Sequence, residues 1–405
     1  MKTVAGGAFF NATNAQLIAI FRDLGLRHLR LGGTSVEWPA RTPIPDEADI
    51  DNLFAFVKAA GVRQVIYSFR LLETNADVHY AQTNAALAAY IAGHYQPWLE
   101  SFAIGNEPDI KRVFSNDCEI TNFASYLAKW HRFAGAIANA VPGAKFSGPD
   151  AGSGNVNWTA RFAAAEKDAG LVSAITEHFY VGGRGRDVEA SEGTGAMLSP
   201  DWDKRNQALY DEAAVPVAAA GFPFRFTEAN DHYSGGVPGA SDTFAGALWA
   251  LDFLHWWAAH GARGVDFHNT QWVVNDVITM DARKSLATSP KAWGIKAFNM
   301  GGRGRVAPVN VSNPSGVNLT VYAVRGTNQL FVTVINKEHD ANAREAEVTI
   351  AAAGVFASGE VIRLVAPAGN VAAKDGISFD KESFRNPVRV PAASAAIIAL
   401  NTSAE

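Results

Sequence analysis

From residue 14 to about residue 300, two hydrophobic periods alternate along the chain. Asn14 stands ahead of Leu17, Ile20, Phe21 and Leu24, which fall on one helical face, and Gly25 follows as a stop. Arg27-His28-Leu29-Arg30-Leu31 then reads as a strand with Gly32-Gly33-Thr34 as its exit. Asp46 caps a second helix whose inward face is Leu53, Phe56, Val57 and Ala60, and Gly61 closes it. The alternation continues with strands over residues 63–69, 101–104, 145–147, 174–180, 222–228 and 264–268. Helical patterns over 82–94, 119–140, 156–169, 203–214, 241–260 and 291–298 separate or follow them. Residues 182–200 read as a long Gly-rich connection, longer than a plain barrel turn.

Strands alternating with helices at this spacing predict a parallel sheet, and about 300 residues of it favour a (β/α)8 TIM-type barrel over a doubly wound sheet. Seven strands are clear, not eight; the first is missing, or residues 3–10 serve as a weak one. After Gly301-Gly302-Arg303-Gly304 the period changes to two. Residues 318–324, 329–335, 347–350, 359–364 and 395–400 predict a small all-β sandwich. The expected division is a barrel over residues 1–302 and a β-sandwich over residues 303–405 that packs on it.

Composition narrows the classes. Hydrophobic residues make up 48% and charged residues 19% of 405, an ordinary globular balance that excludes bulk disorder. The net charge of −5 comes with no basic cluster, so no nucleic-acid partner is expected. Cys118 is the only cysteine, which rules out an intrachain disulfide and a cysteine-based metal cluster. No apolar run reaches the roughly 18 residues of a membrane span, and no membrane partner is expected. The first seven residues lack the apolar centre of a signal peptide, so the protein is cytoplasmic or its chain is written without an export signal.

The candidate chemistry sits at two strand ends. Ser101-Phe102-Ala103-Ile104 is short and apolar, Gly105 lets the backbone turn, and Asn106-Glu107-Pro108-Asp109 follows. Phe222-Pro223-Phe224-Arg225-Phe226-Thr227-Glu228-Ala229-Asn230 is a second aromatic-rich stretch, read as a strand that ends in Glu. Carboxyl ends of barrel strands are where such folds keep their chemistry. If the weak first strand is counted, Glu107 ends strand four and Glu228 ends strand seven, across the barrel mouth from each other. Retaining glycoside hydrolysis needs two carboxyl groups, one to attack the anomeric carbon and one to protonate the leaving oxygen, roughly 5–5.5 Å apart. His178, Asp150, Ser153, Thr34, His268 and Asn269 lie at or near other strand exits.

In order along the chain, Leu29-Arg30-Leu31-Gly32-Gly33-Thr34, Gly105-Asn106-Glu107-Pro108, Gly148-Pro149-Asp150-Ala151-Gly152, His178-Phe179-Tyr180, Thr227-Glu228, Tyr233-Ser234-Gly235-Gly236 and Ser241-Asp242-Thr243-Phe244-Ala245 resemble glycoside hydrolase family 79. This is the heparanase and β-glucuronidase family of retaining (β/α)8 glycosidases. The resemblance implies Glu107 as general acid/base and Glu228 as nucleophile. It implies that Tyr180 holds the nucleophile, that Asn106 binds the sugar 2-hydroxyl, and that Tyr233, Gly235 and Gly236 receive a uronic carboxylate. His178 and Asn269 join as further substrate contacts. The Tyr that the family places after its last strand has no counterpart in residues 268–276.

The expectation is therefore an exo-acting β-glucuronidase-like enzyme with a uronic-acid-containing carbohydrate as substrate, and no metal or other cofactor. The rivals are a related retaining glycosidase for neutral sugars and a non-catalytic carbohydrate-binding protein on a truncated barrel.

Overall fold

The computed structural model describes residues 9–37, 43–73, 79–110, 117, 119–152, 157–351 and 356–402. Cys118, Ser153 and all but the last two residues of the weak strand expected over 3–10 lie outside the described residues. Contacts divide the chain into two compact units: Met1–Phe179 with Gln207–Ala229 and Ala262–Phe267, and Tyr180–Asn206 with Asn230–Gly261 and His268–Glu405.

The first unit is built on seven strands in sequential order: β1 (His28–Leu31), β2 (Gln64–Phe69), β3 (Leu99–Ile104), β4 (Phe146–Ala151), β5 (Val172–Tyr180), β6 (Phe224–Asn230) and β7 (Val265–Phe267). The pairing is parallel and forms a nearly closed barrel. The middle strands are buried along most of their length, as a sheet covered on both faces requires. Helices reach this sheet through the faces that the sequence marks. Leu17 and Phe21 of Ala15–Asp23 pack toward Phe56 of Glu47–Ala60, with Phe21 and Phe56 edge to face at 5.0 Å. Trp130 of Phe123–Ala140 meets both Phe146 of β4 and Phe162 of Asn157–Glu166. Asn14 and Asp46 cap their helices as expected; Asp46 does so in a full capping box with Asp49.

Closure takes a form that periodicity did not suggest. His28 on β1 reaches Asp266 on β7, with Nδ1 and Oδ1 2.7 Å apart. The other ring nitrogen of His28 is 3.1 Å from Glu100, and Arg225 lies 3.4 Å from Asp266. A buried polar seam therefore joins the two edge strands at the amino-terminal end of the sheet.

The second unit holds an antiparallel six-stranded sheet and a two-stranded sheet, Ala346–Val348 with Val388–Val390, which fit a β-sandwich. Val332, Val334, Val361, Ile398, Leu400, Val388 and Val390 fill its core. The helix Phe244–Ala259 is buried almost all round. Asp252 on it accepts from Thr320 and Tyr322 and pairs with Lys337 at 2.8 Å, which fixes it to the sheet. Residues 182–200, expected to be a bare connection, contain the helix Ala190–Met197. A Cβ at Gly193 would come within 3.0 Å of Val237, so a residue poor for helices is there for close packing.

Candidate active site

Glu107 follows β3 on a tight turn. Its φ is 51°, in the left-handed region that costs a non-glycine residue of order 1–3 kcal/mol. Two bonds hold it there: its N–H donates to Asp150 O at 2.8 Å, and its carbonyl accepts from Ile110 at 3.1 Å. Just before it, Gly105 has φ 90°, and a Cβ would meet Leu71 at 3.0 Å. Asp109 closes the turn by accepting from the Gly152 N–H at 2.7 Å. Burial pushes the Asp109 carboxyl up to about 6, against the hydrogen bonds it accepts.

The first unit gathers Glu107, Glu228, His178 and Asn106. His178 Nδ1 is 3.3 Å from Glu107 Oε1 and 3.9 Å from Glu228 Oε2. One carboxylate oxygen from each Glu and one His178 nitrogen all lie within 4.8 Å of one another. His178 is fully buried, and burial pulls its imidazole down. The Glu228 charge and the hydrogen bond with Glu107 outweigh burial, so the net shift is upward.

Two further residues organise the cluster. Arg30 donates through Nη2 to Asp150 at 2.7 Å and to Asn106 at 2.9 Å, and its Nη1 is 3.5 Å from Glu228. Asp150 also accepts from Thr176 at 2.5 Å and from Thr227 at 2.6 Å. Burial raises the Asp150 carboxyl, yet Arg30, His178 and the two hydroxyls more than offset it, and it stays below the usual carboxylate range. Asn106 Nδ2 reaches Thr34 Oγ1 at 3.4 Å. Sequence reasoning assigned no role to Arg30. The available signal was a cation in the middle of a short apolar strand, two residues before a glycine pair. A Cβ on Gly32 would come within 2.7 Å of the Arg30 guanidinium carbon, so the glycine leaves room for it.

The remaining candidates belong to the second unit. Tyr180 ends β5 and its ring meets His268 edge to face at 6.4 Å. Tyr233 is 43% exposed, and its carbonyl accepts from Gly185. Gly235 and Gly236 have φ of 96° and 86°, and a Cβ on Gly236 would strike Asn275 and Ser241. Asn269 accepts from the N–H groups of Val277 and Ile278 and donates to Ile278 O, so its amide laces a loop. Beneath residues 231–236, Lys291 pairs with Asp231 at 2.8 Å, and Ser241 donates to Asp231 at 2.9 Å. Lysine contact and hydrogen bonds hold Asp231 down to about 2 despite its burial.

Glu107, His178 and Glu228 are also the one group among the described residues whose donor atoms converge as metal ligands would. The Arg30 guanidinium stands 3.5 Å from Glu228, and its positive charge disfavours a divalent cation there.

Neither a family model nor a curated protein sequence matches the chain. Solved structures do. A 4-O-α-L-rhamnosyl-β-D-glucuronidase from Fusarium oxysporum superposes with TM-score 0.73 at 16% identity, covering 97% of this chain and 94% of its own. An arabinofuranosidase gives 0.72 at 13% identity, with 98% and 92% covered. A family 51 α-L-arabinofuranosidase from Bifidobacterium longum gives 0.68 at 15%, with 96% and 89% covered. The fold of the chain is that of the clan A glycoside hydrolases, a TIM-type barrel with a β-sandwich.

Proposed function

We propose that the protein is a retaining glycoside hydrolase that works by double displacement. The observation that carries this reading is the approach of Glu107 and Glu228, whose facing oxygens lie within 4.8 Å. Retaining enzymes hold their carboxyl groups roughly 5–5.5 Å apart, whereas inverting enzymes need roughly 6.5–9.5 Å to admit a water. Glu228, beside the Arg30 cation, attacks the anomeric carbon and forms a glycosyl ester as the leaving oxygen departs with a proton from Glu107. Glu107 then takes a proton from water, which opens the ester and frees Glu228. Asn106, held by Arg30 and Thr34, binds the sugar 2-hydroxyl in this reading.

For the sugar itself, we favour a terminal β-linked glucuronic acid. In this reading Tyr233, with the backbone of Gly235 and Gly236, supplies hydroxyl and N–H donors for the carboxylate. A second reading, a neutral pyranose, is favoured by one feature: residues 231–236 and 268–276 contain Asp231 and Asp276 and no Lys or Arg. The nearby Lys291 is already paired with Asp231.

The test uses aryl β-glucuronides beside aryl β-glucosides, β-xylosides and α-arabinofuranosides, with wild type, Glu228→Ala and Glu107→Gln. The expected result is loss of about 10²–10⁴-fold or more in kcat for each variant on whichever glycoside the wild type cleaves. Wild-type rates in either variant end the assignment. Turnover of the neutral glycosides alone replaces the glucuronide reading with the second one.

A further inference from the structure

In the second unit, Trp272 is 68% exposed, the largest such fraction among the described large hydrophobic side chains. An indole left in water forfeits the burial that aromatic side chains ordinarily gain, so its setting is informative. The segment around it is held firmly. Thr270 donates to Asp276 through both its N–H and its hydroxyl, and Val273 N–H donates to the same carboxylate at 2.9 Å. Gln271 O accepts from Met280 N at 2.8 Å. Gln271 itself has φ 77°, a strained value for a side chain that size, in the position just before the indole. Backbone bonds on both sides thus give the exposed ring a fixed support.

The adjoining loop is tied to the same support. Asn275 N donates to Gly235 O at 3.3 Å, and Asn275 Nδ2 donates to His232 O at 2.8 Å, which stitches residues 231–236 to residues 270–276.

We propose that Trp272 is a pyranose-stacking platform of the second unit, taking one ring of a carbohydrate chain on its exposed face. A pyranose with equatorial hydroxyls presents a flat face of axial C–H groups, which an aromatic ring covers without hydrogen bonds. A backbone already fixed in place loses little conformational entropy on contact. The proposal rests on the carbohydrate reading above and assigns it an oligosaccharide ligand longer than one residue.

The experiment measures binding without turnover. Full-length Glu228→Ala protein is titrated calorimetrically with cellohexaose, xylohexaose and a hyaluronan hexasaccharide. The same titrations are repeated with Trp272→Ala and Trp272→Phe added. The expected result is saturable binding of at least one hexasaccharide, weakened about tenfold by Trp272→Ala, the scale of one lost aromatic hot spot. Trp272→Phe keeps most of the affinity. Equal affinity with and without Trp272, or no binding of any of the three, overturns the platform. Residual hydrolysis by Glu228→Ala at the wild-type rate would instead sink the double-displacement reading, so the two failures are separable.

Discussion

Arg30 Nη2 stands 2.7 Å from Asp150 Oδ2, and the two side chains are only 4% and 1% exposed. The pair joins β1 to β4, whose sequence positions are far apart. It also sets where Asn106 and Glu228 stand, because the same guanidinium touches both.

Replacing Asp150 by Ala leaves Arg30 buried without its partner. Breaking a buried pair from one side costs about 3–5 kcal/mol. Thermal unfolding should show a drop in Tm of many degrees, with kcat reduced in whatever fraction remains folded. A Tm within a degree or two of wild type would contradict the role given to this pair.

Gly32→Ala tests the room made for the guanidinium. The new Cβ would lie 2.6 Å from Ser68 Oγ and 2.7 Å from Arg30 Cζ. The backbone there is not in the left-handed region, so crowding alone operates, at roughly 1–3 kcal/mol. The variant should unfold earlier, and its kcat should fall more than its KM rises, because Arg30 shifts away from Glu228. Unchanged kcat would show that the guanidinium position is irrelevant to turnover.

The elements that the sequence revealed are those whose signal is local. The run before Gly105 and the caps at Asn14 and Asp46 each lie within a few residues, and the structure places them as read. The pairing of Glu107 with Glu228 followed from strand order. Arg30 did not follow, because its partners Asp150 and Glu228 are 120 and 198 residues away and only the curled sheet brings them to it. Nor did the short hairpin Ile278–Met280 with Leu286–Thr288, whose strands are too brief to show a period. The His28–Asp266 contact that draws the edge strands together was hidden for the same reason as Arg30: its polar residues sit in strands that read as apolar.

The His178 imidazole is shifted upward, since the Glu228 charge and the Glu107 hydrogen bond outweigh its burial. An imidazole raised above its ordinary ~6.5 stabilises the folded state fully below that value and loses the contribution as pH rises through the folded value. The Tm gap between wild type and His178→Gln should therefore be widest in mildly acid buffer and narrow toward alkaline pH. A gap that widens with pH would reverse the sign and refute the arrangement.

Glu177 offers the opposite sign. It is buried on β5, burial raises its carboxyl well above the ordinary range, and Thr159 donates to it. A carboxyl raised on folding is no burden at acid pH, but it costs stability as pH climbs above ~4.3, where the unfolded chain ionises. Glu177→Gln should leave Tm nearly unchanged near pH 4 and raise it by a few degrees near pH 8. Equal Tm differences at both pH values would contradict a protonated buried acid.

Proton NMR of the sugar released first by wild-type enzyme tests the two-carboxylate mechanism most directly, using the aryl glycoside from the panel that is turned over fastest. Glu107 and Glu228, with oxygens within 4.8 Å, predict that the anomeric configuration of the substrate appears in the initial product before mutarotation. Initial appearance of the opposite anomer, or no turnover of any glycoside in the panel, would contradict it.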